Sequence, residues 1–391
     1  MNRSARHFYD IIIAGAGPAG LLIGSKLAGD LRVLILDRGT IGNTTKFWLT
    51  SNQRLQRHGL EGAVAYRTDR GSIASFLGGY ALAIGDYAVV DDRILLMTLS
   101  RRCQERGAEL VDNSAVQCIR WGHASITVET TLGSFQCRLL IDATGGNSPI
   151  ATTFRSQKLD GFYSIYGAHL RGIRLKTEEI IGSHVIRLGY PVPMFEVFPT
   201  GDSSAFAVVF FATRRLQKVS EMKSAFHDHL VSNPFFEITR KTEEFEGKMG
   251  GIPIGRPRPR RLPGIFAFGE AGMIQSPLIG GAFNEVLKHV DDVADAVRKE
   301  FQKRSTGIVN VGSPRQFNKL YNDRLQAVAV RHLLSGTLEE YERLVYLLER
   351  LGPELTYRLF CSDLKPGDFP AVARAYSLSR WWRFKAKRGV P

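Results

Sequence analysis

Cysteine is scarce in this sequence, and its four copies lie far apart: Cys103, Cys118, Cys137 and Cys361. None of them forms the CxxC spacing that zinc sites and small disulfide frameworks use, so we predict neither. The nine histidines also lack a paired ligand spacing, and we predict no metal. Scattered cysteines that act as small packing residues are typical of a reducing compartment, which favours the cytoplasm.

Long apolar runs are missing as well. No stretch approaches the roughly 20 apolar residues that a membrane-spanning helix needs. No apolar leader segment precedes the first expected strand. We therefore expect a protein that is soluble or bound peripherally to a membrane.

Acidic residues are in deficit, with 38 Asp and Glu against 52 Lys and Arg, so the formal charge is +14. Residues 379–388 concentrate this charge, because they combine five cations with three aromatic rings. Two interpretations stay open: contact with an anionic membrane surface, or a solvated tail whose tryptophans pack locally. No nucleic-acid-binding module accompanies the charge, and we predict no nucleic-acid partner.

The most informative motif that is present is a strand, glycine turn, helix and strand within residues 9–37. Gly15 lets the chain turn sharply, Gly17 lets the backbone approach a pyrophosphate, and Gly20 lets the helix lie close to the sheet. The helix N-terminus then offers free N–H groups to phosphates. Asp37 ends the second strand, where its carboxylate can accept hydrogen bonds from both ribose hydroxyls of an adenosine. The pattern predicts a dinucleotide site and argues against a 2′-phosphate.

Two later segments place more small residues at strand ends. Residues 137–146 are an apolar strand pattern followed by an acid and a pair of glycines. Residues 264–273 are a strand that leads into a Gly-Glu-Ala-Gly turn, and a helix starts soon after Pro277 and two glycines. Ligands bind at such strand ends, and glycine permits close approach of the backbone to a flat ligand.

The three motifs together resemble the flavoproteins grouped around p-hydroxybenzoate hydroxylase. Within this group the sequence is most similar to lycopene cyclases and geranylgeranyl reductases, because residues 251–273 resemble the I-P-M-G-G and A-G-M segments of the cyclases. The resemblance implies an α/β fold. It consists of a Rossmann-like FAD-binding domain of the glutathione-reductase type, an inserted antiparallel β-sheet substrate domain and a C-terminal helical segment.

Three regions are expected along the chain. The FAD-binding domain is expected to be discontinuous, with residues 1–60, 86–160 and 250–300. The substrate domain is inserted into it and has residues 61–85 and 161–249. Residues 301–391 form the helical region with the basic aromatic tail. One stripe of this region is expected to be core rather than partner surface: Leu338, Tyr341, Leu344, Val345, Leu348 and Leu351.

The resemblance implies FAD as the cofactor and assigns residues to it. Glu270 stands where most relatives have aspartate, which changes the turn but still allows the acid to reach the ribityl hydroxyls. Gly280 and Gly281 are expected to present N–H groups beside the flavin ring. Arg93 matches a position that flanks FAD in the family, or is a surface arginine in a first helical turn. The full expected set is Gly15, Gly17, Pro18, Ala19, Gly20, Asp37, Arg38, Arg93, Ala143, Thr144, Gly145, Gly269, Glu270, Gly272, Gly280 and Gly281.

Catalytic candidates are fewer. Lycopene cyclases carry an acid-rich stretch thought to supply the proton for cyclisation, but the corresponding strand here, residues 205–213, has no acid. Glu196 is the candidate replacement, because alternation places it on one face with Met194 and Phe198. There, burial would raise its pKa towards neutrality and suit it to acid–base chemistry. The alternative is a glutamate on an edge strand that faces water.

Two further residues are catalytic candidates, Glu270 and Lys46. Lysine is used by flavin halogenases of this class, but the spacing around Lys46 matches theirs poorly, and a surface cation is the alternative. The residues expected to contact substrate are aromatic or apolar: Trp48, Phe195, Phe198, Phe206, Val208, Phe210 and Pro277.

The resemblance implies an FAD-dependent oxidoreductase that uses reduced flavin on a large hydrophobic substrate, in the manner of lycopene cyclases and geranylgeranyl reductases. The alternative is a flavin-dependent monooxygenase or halogenase that acts through a flavin hydroperoxide on an aromatic substrate. A non-catalytic flavoprotein is the third hypothesis. Because the chain has no second GxGxxG, electrons would come from transiently bound NAD(P)H or from a partner flavin reductase.

Overall fold

The computed structural model describes residues 8–44, 48–245, 247–258, 262–312 and 317–381. Its strands are β1 (Phe8–Ala14), β2 (Val33–Leu36), β3 (Trp48–Ser51), β4 (Val64–Ala74), β5 (Tyr80–Val90), β6 (Glu109–Val111), β7 (Val116–Trp121), β8 (Ile126–Thr130), β9 (Gly133–Asp142), β10 (Gln157–Arg171), β11 (Arg174–Leu175), β12 (Ile180–His184), β13 (Met194–Gly201), β14 (Ser204–Thr213), β15 (Phe236–Glu237), β16 (Glu243–Glu244), β17 (Lys248–Pro257) and β18 (Ile265–Ala267). Its α-helices are α1 (Pro18–Leu27), α2 (Asn52–Arg57), α3 (Asp92–Glu105), α4 (Pro149–Thr153), α5 (Val219–Ser232), α6 (Ala282–Lys303), α7 (Phe317–Leu333), α8 (Leu338–Leu351), α9 (Pro353–Phe360) and α10 (Phe369–Trp381).

The first sheet has the strand order β6-β2-β1-β9-β8-β7, and β18 pairs with the second half of β9. Strands β6, β2, β1, β9 and β18 are mutually parallel, whereas β7, β8 and β9 form an antiparallel meander. Ile11, Ile12 and Ile13 are fully buried, because α1, α3 and α6 cover one face and the meander with α4 covers the other. An apolar run without alternation is what a parallel strand buried on both faces requires.

The second sheet has the order β16-β10-β14-β13-β12-β4-β5-β3, with β17 beside β16 on the edge of β10. Its pairings are antiparallel except for β12 with β4. Strands β3 and β5 belong to this sheet, although the expected boundaries place β3 and the end of β5 in the FAD-binding domain. The boundaries themselves stay a prediction.

Each face of the second sheet has its own cover. Helix α5 packs on one face, around Phe195, Phe211 and Phe226. The C-terminal helices pack on the other face, around Phe198, Val208 and Phe210. Hence the strands β13 and β14 are apolar on both sides and show no clean alternation of polar residues.

The expected stripe on α8 is confirmed as core. Tyr341, Leu344, Val345, Leu348 and Leu351 are all buried against the second sheet and the neighbouring helices. The basic aromatic tail falls almost entirely outside the described residues. Among the described helices, none combines the length and apolarity needed to cross a bilayer.

Candidate functional site

A cavity of about 470 Å³ opens at the carboxyl ends of the parallel strands. Its walls come from the β1–α1 turn, the end of β2, the segment after β9, the 3₁₀ turn Gly269–Gly272 and the start of α6. Parallel strands end on one edge of a sheet, and ligands bind in the crevice outside that edge. The lining includes Gly15, Gly17, Pro18, Ala19, Asp37, Arg38, Trp48, Ala143, Thr144, Gly145, Gly269, Glu270, Ala282 and Phe283.

The glycine turn after β1 has little room for side chains, with one exception. Gly15 has φ +103°, and a Cβ there would lie 2.4 Å from the Ala143 carbonyl oxygen. A Cβ at Gly20 would lie 1.9 Å from the Gly15 carbonyl oxygen. At Gly17 a Cβ would have no neighbour within 4 Å, because this residue faces the cavity. The turn therefore fits a ligand that approaches the backbone at Gly17.

Asp37 braces the same turn. Its Oδ2 accepts a hydrogen bond from the Ala16 N–H at 2.7 Å, and its Oδ1 accepts one from the Gly39 N–H at 2.8 Å. Each carboxylate oxygen has a second lone pair, and the residue lines the cavity. The carboxylate is thus pre-oriented to accept hydrogen bonds from a diol such as a ribose.

Asp142, at the end of β9, is a buried positioning residue that the sequence analysis did not assign. Its Oδ1 accepts from the Thr144 N–H at 3.1 Å and the Thr144 hydroxyl at 2.7 Å, and its Oδ2 accepts from the Ser148 hydroxyl at 2.6 Å. Burial raises the pKa of this carboxyl, while the hydrogen bonds from Ser148 and Thr144 act in the opposite direction. The network holds Thr144 and Gly145 in the cavity wall.

Glu270 joins two walls of the cavity. Its Oε2 accepts a hydrogen bond from the Gly146 N–H at 2.9 Å, so the longer acid reaches the segment after β9. The preceding Gly269 has φ +69°, and a Cβ there would lie 2.8 Å from the Ala19 Cβ. Gly272 packs against the Ala267 carbonyl oxygen, which a Cβ would approach to 2.6 Å, and does not line the described cavity.

Gly280 and Gly281 connect the cavity to the second sheet. Gly281 is the N-cap of α6, whose first residues Ala282 and Phe283 line the cavity. Gly280 has φ +64° and packs against Ile252 and Tyr163. Helix α6 therefore directs a second N-terminus, in addition to that of α1, towards the cavity, and helix N-termini favour anionic ligands.

The face of the second sheet beyond Gly280 is an apolar layer with one carboxyl. Met194, Phe198, Phe206, Val208 and Phe210 lie on it, and the C-terminal helices close it. Tyr163 belongs to the same layer, and its hydroxyl donates to the carbonyl oxygens of Pro277 and Leu278 at 3.0 Å and 2.6 Å. We call this the chamber face.

Phe195 is a correction to the expected substrate set. It is fully buried on the opposite face, where it stacks on His229 of α5 with ring centroids 5.6 Å apart. Phe195 and Phe198 are an odd number of residues apart, and a strand directs such residues to opposite faces. Both therefore cannot line one pocket.

Glu196 lies on the chamber face, opposite Val208 of β14. Strand β13 lies between β12 and β14, so the alternative of an edge-strand glutamate is wrong. The side chain retains partial accessibility, yet burial raises the pKa of its carboxyl well above the ordinary value. The apolar neighbours of Glu196, rather than bulk water, therefore set the protonation of this carboxyl.

Two tyrosines share the surroundings of Glu196. Burial raises the pKa of Tyr163 and of Tyr341, and the Glu196 charge raises both further. The Tyr341 hydroxyl is held by the Ser183 hydroxyl at 2.6 Å and by the Ala74 carbonyl oxygen at 3.1 Å. Tyr341 comes from α8, so the C-terminal region contributes to this face; the sequence pattern assigned it to core only.

The remaining candidates divide as follows. Trp48 lines the cavity and packs on Phe283 with ring centroids 5.9 Å apart. Arg93 is exposed in the first turn of α3 and does not line the described cavity, whereas Leu96 of the same helix does. Lys46 lies outside the described residues.

Comparison with known proteins agrees with this architecture. The model of the lycopene cyclase protein family matches residues 10–171. No curated protein matches the sequence. Among solved structures, a geranylgeranyl bacteriochlorophyll reductase-like protein from Thermoplasma acidophilum aligns with TM-score 0.71 and 13% identity over 95% of this chain and 98% of that chain.

Flavin halogenases align as well. The flavin-dependent brominase Bmp2 gives TM-score 0.70 and 15% identity over 95% of this chain and 100% of that chain. Halogenase PltM, solved with FAD, gives TM-score 0.65 and 15% identity over 88% of this chain and 79% of that chain. The chain thus has the mixed α/β fold of the flavoproteins related to p-hydroxybenzoate hydroxylase, and the resemblance drawn from its motifs is confirmed.

Proposed function

We propose that this protein is an FAD-dependent oxidoreductase that uses reduced flavin on a large hydrophobic substrate, similar to lycopene cyclases and geranylgeranyl reductases. The observation that carries the proposal is that the cavity and the chamber face meet at the start of α6. Ala282 and Phe283 line the cavity, and the nearby Gly280 packs against Tyr163 of the chamber face. In this proposal the first sheet is a cofactor domain of the glutathione-reductase type.

The residues present fit FAD. Asp37 would hold the adenosine ribose, the N-terminus of α1 at Gly17 and Pro18 would hold the pyrophosphate, and Glu270 would lie near the ribityl chain. Gly281 would present its N–H beside the ring, whereas the expected N–H of Gly280 is a correction, because it donates to the Ser276 carbonyl oxygen at 2.8 Å. When bound, FAD supplies the electron transfer that no side chain can perform. NAD(P)H or a partner flavin reductase is the proposed electron source.

Glu196 is the proposed acid of the chamber. A carboxyl whose pKa is raised can keep its proton near neutral pH and deliver it to a substrate atom in contact with it. The apolar residues around it, Met194, Phe198 and Val208, fit a substrate with few polar groups. The family match to lycopene cyclases and the geranylgeranyl reductase-like neighbour favour a substrate of isoprenoid type.

The Glu196→Gln variant tests this role. It preserves shape but cannot supply a proton, so turnover should fall by at least 100-fold while FAD binding stays at the wild-type level. Turnover and bound flavin are measured on the same preparation. Full activity in the variant would remove Glu196 from the reaction.

A monooxygenase or halogenase is the second candidate, because Bmp2, PltM and the anhydrotetracycline hydroxylase OxyS from Streptomyces rimosus share the fold. The anaerobically reduced protein is mixed with oxygenated buffer in a stopped-flow spectrometer. A distinct transient spectrum before the oxidised one returns favours this candidate. Direct return favours the reductase or cyclase. A bound flavin that no reductant bleaches would favour a non-catalytic flavoprotein.

Cytoplasmic location is part of the proposal, and so is contact of the basic tail with an anionic membrane surface. A hydrophobic substrate would be supplied from such a surface. Co-sedimentation with vesicles of anionic and of neutral lipid tests this contact, and equal binding to both would contradict it.

A further inference from the structure

The loop between the 3₁₀ turn and α6 is held from three sides. The Gln275 amide donates to the Pro253 carbonyl oxygen of β17 at 2.8 Å. The Tyr163 hydroxyl donates to the carbonyl oxygens of Pro277 and Leu278. The third contact comes from Gln326 of α7, which is distant in sequence and fully buried.

Gln326 uses all of its amide. Its Oε1 accepts from the hydroxyl of Ser276 and from the Leu278 N–H at 3.3 Å. Its Nε2 donates to the Leu359 carbonyl oxygen at 2.6 Å and to the Ser362 hydroxyl at 3.0 Å. One end of the amide thus holds the loop, and the other end holds the last turn of α9 and Ser362 just beyond it. Among side chains of this length, only an amide offers an acceptor and two donors at once.

The position of Gly280 depends on the residues that Gln326 holds. The Gly280 N–H donates to the Ser276 carbonyl oxygen at 2.8 Å, and the Gly280 carbonyl oxygen accepts from the Ala282 N–H at 2.9 Å. Ser276 is therefore bonded through its hydroxyl to Gln326 and through its backbone to Gly280. A shift of Ser276 would move Gly280 and the start of α6 together.

We propose that Gln326 is a positioning residue that sets the loop at residues 276–281 so that the Gly281 N–H and the N-terminus of α6 face the flavin ring. The inference rests on the proposed function. N–H groups fixed beside the ring stabilise the negative charge that the flavin gains on reduction, and their effect depends on preorganisation. Loss of Gln326 should therefore lower the reduction potential of bound flavin. It should have little effect on the affinity for FAD, because the residues that hold the adenosine half are unchanged.

The experiment measures the reduction potential and the FAD dissociation constant of three variants and the wild type. Gln326→Met keeps the length of the side chain and removes all four hydrogen bonds. Ser276→Ala removes only the bond on the loop side, and it decides the question if Gln326→Met fails to fold. Asn322→Leu is the control, since Asn322 lies one turn earlier on α7, is fully buried, and bonds to the backbone of Leu364 at 3.0 and 3.1 Å.

The expected result is a preference for reduced over oxidised flavin that is about tenfold weaker in Gln326→Met and in Ser276→Ala, which corresponds to about 30 mV for a two-electron couple. Asn322→Leu should lower the unfolding temperature without moving the potential. An equal shift in Asn322→Leu would overturn the inference, and so would wild-type potentials in the other two variants. Absence of FAD binding by the wild type would overturn the proposed function along with it.

Discussion

At the scale of single residues, the site depends on where a side chain has room. Gly15, Gly17 and Gly20 look alike in the sequence, yet only Gly17 has free space at the Cβ position. The carboxyls of Asp37 and Glu196 also differ in their surroundings. Asp37 receives two backbone N–H groups, whereas Glu196 is surrounded by apolar residues.

Substitution of the glycines should separate folding from cofactor binding. Gly17→Ala should unfold like the wild type and bind FAD at least tenfold more weakly, a loss of about 1.4 kcal/mol, because the methyl group occupies the space of the ligand. Gly20→Ala, in contrast to Gly17→Ala, should lose about 1–3 kcal/mol of stability, because its Cβ overlaps the Gly15 carbonyl. Thermal unfolding of the apo-protein and FAD titration measure both effects. Equal stability of the two variants would contradict the assignment.

Glu196 also predicts a pH dependence of stability. Its folded pKa is raised well above the ordinary 4.5, so the folded state holds the proton more tightly than the unfolded state. The free energy of unfolding must then fall as the pH rises from about 4.5 towards the folded pKa. Glu196→Gln has no proton to lose at this position. The free energy of unfolding of the variant, measured relative to that of the wild type, should therefore increase as the pH rises from about 4.5 towards the folded pKa of Glu196. Denaturant titrations at a series of pH values test this, and parallel curves would refute it.

At the scale of elements, α5 illustrates how one face of a helix supports a sheet. Phe226 is fully buried, and its ring packs edge-on to Tyr166 with centroids 5.2 Å apart. Five residues later in the same helix, Val231 is 85% exposed. The helix covers the face opposite the chamber, so its loss affects the chamber only through the strands.

This contrast gives a matched pair of variants on one helix. Phe226→Ala should destabilise the protein by about 3–5 kcal/mol, because it leaves a cavity under α5. Val231→Ala should change stability by less than about 0.5 kcal/mol. Urea unfolding measures both, and a small effect of Phe226→Ala would mean that α5 is not part of the cooperative core.

At the scale of the whole molecule, a charged cluster ties the C-terminal region to the first sheet. Asp363 pairs with Arg54 of α2 at 2.5 Å and with Lys288 of α6 at 2.7 Å. The Arg54 side chain is 11% exposed and that of Asp363 is 38% exposed. Because α6 begins at the cavity and the segment at 359–362 bonds to Gln326, this cluster helps to hold the C-terminal helices over the chamber face.

Asp363→Ala should therefore cost about 2 kcal/mol of stability, less than a fully buried pair would, because Asp363 is partly solvated. Hydrogen exchange should rise first in α8 and α9. Asp295→Ala is the control, since the Asp295–Arg298 pair at 2.9 Å is on the surface, and its loss should be within about 0.5 kcal/mol. Equal losses in the two variants would argue against a role for the cluster in docking.

How much of this site the sequence could predict depends on how local each signal is. The glycine turn, Asp37 and the Gly-Glu-Ala-Gly segment are short motifs whose chemistry follows from neighbours in the chain, and all of them line or border the cavity. Asn322 and Gln326, two buried amides four residues apart on an apolar helix face, were a signal that the sequence analysis missed. Phe195 was misplaced because it is three residues from Phe198, and strand alternation puts residues with that spacing on opposite faces of a sheet.

The sequence by itself determined the fold class and the dinucleotide turn, because the torsions and apolar periods that define them are set within about 30 residues. Only the tertiary structure decided that β13 is an interior strand, that the Glu196 charge acts on Tyr163 and Tyr341, and that Gln326 reaches Ser276. These interactions join residues that are 33, 145 and 50 positions apart. Their geometry depends on which sheet face each strand presents and on how the C-terminal helices dock, and no local pattern encodes either.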